Sequence, residues 1–156
     1  MARRSIRIVR DFSAGGVIYR HHQDGIDIAL VRQRAPERWQ LPKGTPKRAE
    51  SREQAAVREA QEATGLIVRL VCPLGDIQYW FAVGGQRHYK TVAFYLMEAI
   101  GGDTSLHDAE YEEASWFVLA DALERLAFAN EVEILQTAAN MLGATAASAM
   151  TADSRT

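Results

Sequence analysis

Residues 44–66, GTPKRAESREQAAVREAQEATGL, constrain this chain more than any other stretch. Ser51 stands three residues before Gln54, the spacing at which a serine cap and a glutamine side chain satisfy each other's exposed helix-end groups. From Arg52 to Ala63 there is no Gly or Pro and alanine is plentiful, and Gly65 follows at a natural stop. The segment predicts one short helix over residues 52–63. On it Glu59 and Glu62 are three apart, so both carboxylates point the same way.

Two carboxylates on one helix face read either as a solvated acidic surface or as ligands for a hard cation. Magnesium takes about six oxygens and is usually held by one or two carboxylates together with substrate phosphates. Glu53, on its own near the helix start, fits the solvated reading.

The full spacing favours the ligand reading. The stretch resembles the Nudix box, G-x5-E-x7-R-E-U-x-E-E-x-G-U, with Gly44, Glu50, Arg58, Glu59, Glu62, Gly65 and Leu66 in register. The resemblance covers roughly residues 12–142. It implies an α/β Nudix fold, a mixed β-sheet sandwiched between helices (α/β/α), while length and composition indicate a single domain over residues 1–142 and the small, polar stretch over 143–156 reads as a disordered tail. It also implies that Glu59 and Glu62 hold divalent metal, Mg2+ or Mn2+, that the backbone at Gly44 assists, and that Arg58 pairs with Glu50 to brace the loop. The departure is Ala63, where the family carries a second glutamate that usually ligates metal; Ala60 is small for the aliphatic slot. Either another group supplies the missing ligand or metal affinity and turnover have fallen.

A family glutamate that joins the metal often lies six residues before a tryptophan, and Glu110 stands so relative to Trp116, with Glu112 and Glu113 as the nearest competitors and a flexible acidic loop without a metal role as the alternative. Lys43, in WQLPKG, is available to an anion, as are Lys47 and Arg48 in the basic loop, although solvated charge explains the last two equally well. Ile67 to Leu74 and Asp76 to Val83 read as strands, and the Gly84–Gly85 pair as a hairpin turn into Gln86–Ala99. The core KTVAFYLM of that returning strand, with the aromatics before it, resembles the diadenosine polyphosphate hydrolase branch. That match places Lys90, with Arg87 and His88 nearby, against phosphates and Tyr79 against a base or ribose. Strand aromatics more commonly pack a sheet face. Phe128, in RLAFANE, matches an aromatic that stacks on adenine in that branch, or else staples the last helix. Asn130 is expected to cap that helix, with Val132, Leu135, Ala139 and Leu142 as its buried stripe.

The remaining composition excludes more than it assigns. A net charge of −2 over 156 residues argues against general nucleic-acid or membrane binding. Cys72 is the sole cysteine, so no internal disulfide forms, and a reducing cytoplasm is the expected setting. The resemblance implies a small-molecule nucleotide or polyphosphate substrate and, as in many members, a homodimer. The expected reaction is attack of water on phosphorus in a nucleoside diphosphate linked to another moiety, a diadenosine polyphosphate first. Oxidised nucleoside triphosphates and diphosphoinositol polyphosphates are rivals within the enzyme class. A nucleotide-binding module that has lost turnover is the rival outside it, motivated by Ala63.

Overall fold

In the computed structural model, which describes residues 7–143, the Ser51 hydroxyl accepts from the Gln54 amide at 3.1 Å, while the Gln54 side chain accepts from the Ser51 amide at 2.9 Å. Helix α1 runs from Arg52 to Thr64. It ends at Gly65, whose φ of 77° lies in the left-handed region; a Cβ there would strike the backbone of Asp103 and Leu106. The expected tail, beyond Gly143, lies outside the described residues.

The strands are β1 Ile8–His22, β2 Gly25–Gln33, β3 Arg38–Gln40, β4 Lys43–Gly44, β5 Leu66–Val83, β6 Gln86–Gly102 and β7 Glu113–Val118. Helices α2 Leu119–Arg125 and α3 Ala129–Met141 follow. One seven-stranded sheet has the path β3-β2-β1-β6-β5, with β4 on β1 and β7 on β2. Only β1 and β6 run parallel among these pairings, which makes the sheet mixed. The two strands expected around Gly75 are one bent strand: β5 stays paired with β6 throughout, with irregularities at 67–68, 70–72 and 73–75.

Alternation along the strands assigns each side chain to a face. Ala14, Ile18, Ala93, Tyr95 and Met97 bury the side covered by α1 through Ala55, Ala56 and Ala60. The small alanines let the helix approach closely, which is why the short Ala60 serves in a slot where bulk was expected. The opposite face, with Val17, Ile28, Leu30, Val92 and Phe94, is covered by Leu119 and Ala122 of α2 and by Ile134, Leu135 and Ala138 of α3. Helices therefore cover both faces of the sheet.

Asn130 is not the cap of α3. Phe128 holds that position without a side-chain cap bond, its carbonyl accepting from the amides of Glu131 and Val132 at 3.1 Å each. Asn130 is already inside the first turn. The expected stripe is present but shifted: Leu135 and Ala139 are buried, joined by Ile134, Ala138 and, at 2% exposure, Glu131. Among the described residues no helix is long and apolar enough to cross a membrane.

Candidate active site

Arg58 is the hub of the box. Its Nε donates to one Glu50 carboxylate oxygen at 2.7 Å and its Nη2 to the other at 2.9 Å, a bidentate pair. Its Nη1 donates to Glu59 at 2.7 Å and to Glu62 at 3.2 Å, and Nη2 also reaches the Thr45 carbonyl at 3.2 Å. One guanidinium thus ties the loop before the helix to both carboxylates on it. The hydrogen bonds from Arg58 first, and then from the Lys47 amide, hold the Glu50 carboxyl down at about 2. The same Glu50 bonds push the Arg58 guanidinium further up.

Gly44 lies flush against Glu59: a Cβ at 44 would land on the Glu59 carboxylate. This close approach explains why the first residue of the box must lack a side chain. Glu110 approaches from the loop before β7. Its carboxyl is raised by desolvation, then by the charges of Glu59, Asp108 and Glu62, with Lys43 opposing. Four acidic side chains, Glu59, Glu62, Asp108 and Glu110, thus share a field that a cation would relieve. All are hard oxygen donors, which fits a magnesium-type ion. Among the described residues, no three His, Cys, Asp or Glu side chains form a ready-made metal cage, and Glu59 and Glu62 are engaged by Arg58 instead.

The Lys43 ammonium is already engaged within the fold. It donates to Gln40 at 2.9 Å and to the buried Glu131 at 3.1 Å, and the other Glu131 oxygen accepts from the Leu41 amide at 2.8 Å. The cause is the buried carboxylate of α3, which needs a cation and an N–H to tolerate its site.

Arg87 does not join Lys90. Side chains alternate along β6, so Arg87 falls on the α1 side, its guanidinium 4.5 Å from the Trp80 ring centroid. Lys90 and His88 fall on the α3 side. There the His88 Nδ1 lies 2.7 Å from the Asp11 carboxylate, and Phe81 stacks on the His88 ring with centroids 4.7 Å apart. Lys90 sits in register with Tyr79 on β5 and Asp11 on β1. Burial lowers its ammonium, with Asp11 acting against that and Lys43 with it. Burial raises the Tyr79 phenol, as do the Glu131 and Asp11 charges. Phe128 is half-buried at the start of α3, with the Arg38 guanidinium 5.8 Å from its ring centroid.

Glu131, Asp11, Asp108 and Tyr111 are members of this region that the sequence reasoning did not single out. Tyr111 is buried beside Ala63, and its phenol is pushed up by desolvation and by Glu110, Glu131, Glu59 and Asp108. It links the acidic cluster on α1 to the Lys43–Glu131 pair.

The NUDIX domain family model matches residues 9–137. The chain belongs to the Nudix family. It is 37% identical over 147 residues to the Mycobacterium tuberculosis (strain CDC 1551 / Oshkosh) protein named "Putative mutator protein MutT4", a match covering 88% of this chain and 58% of that protein. It is 27% identical over 133 residues to an 8-oxo-(d)GTP phosphatase of Mycolicibacterium smegmatis (strain ATCC 700084 / mc(2)155), covering 80% of this chain and 40% of that protein. The chain therefore spans less than two thirds of the length of either relative. The crystal structure of a C. elegans Ap4A hydrolase binary complex superposes with a TM-score of 0.67 at 22% identity, covering 85% of this chain and 98% of that one, which is a likeness of fold.

Proposed function

We propose that this chain hydrolyses a phosphoanhydride bond in a nucleoside diphosphate linked to another moiety, with a dinucleoside polyphosphate as the leading substrate and Mg2+ as the metal. The observation that carries the reading is the Arg58 hub, which presents Glu59 and Glu62 from one helix face beside Gly44, with Glu110 in the same acidic field.

Glu59, Glu62 and Glu110 would hold magnesium, with the Gly44 backbone beside them. When bound, the ion supplies positive charge against the phosphates and polarises the attacking water. The chain's own residues do the rest. Arg58 keeps Glu59 and Glu62 pointed at one place and, through Glu50, fixes the loop that approaches them. A carboxylate of the cluster takes the proton of the attacking water as its oxygen bonds to phosphorus; the bridging oxygen leaves with the bond electrons. On the α3 side, Lys90 pairs with phosphate charge, while Tyr79, Phe81 and Phe128 offer aromatic surface to a base.

The substrate class is tested by anion-exchange product analysis with diadenosine tetraphosphate, 8-oxo-dGTP and a diphosphoinositol polyphosphate, each with and without Mg2+. Cleavage of diadenosine tetraphosphate well ahead of the other two supports the reading; preferred cleavage of 8-oxo-dGTP replaces it with hydrolysis of an oxidised nucleoside triphosphate, and the M. smegmatis relative is named an 8-oxo-(d)GTP phosphatase. A second reading, a nucleotide-binding module without turnover, is favoured by Ala63 alone and would show as tight nucleotide binding with no product from any of the three.

A further inference from the structure

Ala63 is fully buried, and it packs in one small cluster with Val31, Ala114 and Tyr111. Tyr111 is the largest side chain of that cluster, and it is 7% exposed. Its hydroxyl lies 3.4 Å from the Lys43 carbonyl, immediately before Gly44. The loop that carries it is pinned to α1 by the Asp108 amide donating to the Glu62 carbonyl at 2.9 Å, and to β2 by the Glu112 amide donating to the Arg32 carbonyl at 2.8 Å. Residue 63 is four positions after Glu59, on the same helix face. A longer side chain there points at space that the Tyr111 ring already fills, because interiors packed to this density hold no spare methylene.

We propose that Tyr111 is a positioning residue that closes a latent further carboxylate position at residue 63 of α1, so that the alanine and the tyrosine form a matched pair. Ala63 is then not a simple loss that one substitution reverses. A glutamate at 63 becomes usable only once the ring is gone. The packing half stands on the buried cluster; the metal half rests on the role proposed above for Glu59, Glu62 and Glu110.

Two measurements on the full chain test the pair separately. Urea denaturation follows Ala63→Val, Tyr111→Ala and the double variant, a cycle that introduces no charge. Ala63→Val is expected to lower the midpoint with Tyr111 present and to leave it unchanged or raise it in the Tyr111→Ala background. Equal cost in both backgrounds overturns the packing. Mn2+ titration followed by electron paramagnetic resonance reads the metal half. Ala63→Glu alone is expected to bind Mn2+ no more than about threefold differently from the native chain, whereas Ala63→Glu with Tyr111→Ala binds at least about tenfold tighter than Tyr111→Ala. A tenfold gain from Ala63→Glu alone, with the ring in place, overturns the proposal. A coupled valine cycle without any Mn2+ gain in the double variant overturns the metal half. If the native chain binds no Mn2+ at all, the proposed function fails, and the valine cycle still decides the packing.

Discussion

The Lys43 ammonium and the Glu131 carboxylate, 88 residues apart in sequence, meet at 3.1 Å with the carboxylate 2% exposed. The contact fastens α3 to the two-residue strand that delivers Gly44 to Glu59. Because Glu131 also accepts from the Leu41 amide, its removal leaves that N–H without its acceptor and the Lys43 ammonium with only the neutral Gln40 oxygen.

Glu131→Leu is therefore expected to destabilise the fold by about 3 kcal/mol or more, since breaking a buried pair strands the remaining charge. Lys43→Met in the same chain should recover part of that loss. Urea denaturation of the two single variants and the double variant checks it; additive losses would mean the pair is not coupled.

Lys90 and Arg87 are predicted to part company on opposite faces of β6. Lys90→Ala should raise KM for the cleaved dinucleotide about tenfold with a smaller change in kcat, the pattern of lost ground-state binding. Arg87→Ala should stay within about twofold on both. Steady-state kinetics of the two variants decide it, and a matching rise in KM for Arg87→Ala would contradict the strand register as the reason.

Arg58→Lys keeps the charge and loses the fork. A lysine cannot hold both Glu50 oxygens while reaching Glu59 and Glu62. Loss of such an orienting partner is expected to lower kcat or metal affinity about 10- to 100-fold. Kinetics over a magnesium titration would separate the two.

Glu50 makes the acid limb of stability sensitive to one residue. Its carboxyl is held at about 2 in the fold against 4.5 as the ordinary value. A carboxyl depressed on folding contributes stability that is complete above the ordinary value and is lost as pH falls through the folded one. The stability difference between the native chain and Glu50→Gln should thus be constant above about pH 5 and shrink between roughly pH 4.5 and 2. Denaturation midpoints across that range measure it.

How much of this was legible beforehand follows from how local each cause is. The helix of the box, its cap at Ser51 and its stop at Gly65 rest on contacts within a few residues, and they stand where the spacing put them. The Arg58–Glu50 pair, eight apart, was readable through the resemblance to the box, since an offset of eight across a loop and a helix start does not by itself imply contact. Glu131 could have been found, because it lies four before Leu135 and seven before Ala138, in phase with the buried stripe of α3; a charge on that stripe requires an opposite partner. Nothing in the local sequence says that the partner is Lys43. The separation of Arg87 from Lys90 was implicit in strand alternation, an odd offset placing them on opposite faces. Tyr111 was hidden because it stands in an acidic stretch that reads as a solvated loop, and only the fold sets it over Ala63.

The central claim is metal-dependent hydrolysis at the carboxylates that Arg58 gathers. The direct measurement is the rate of diadenosine tetraphosphate cleavage by the native chain and by Glu59→Gln across a magnesium titration, with folding of the variant verified by its denaturation midpoint. Product is expected from the native chain only with the metal, and at a rate at least about a hundredfold lower from Glu59→Gln. Cleavage by a folded Glu59→Gln at the native rate would contradict it.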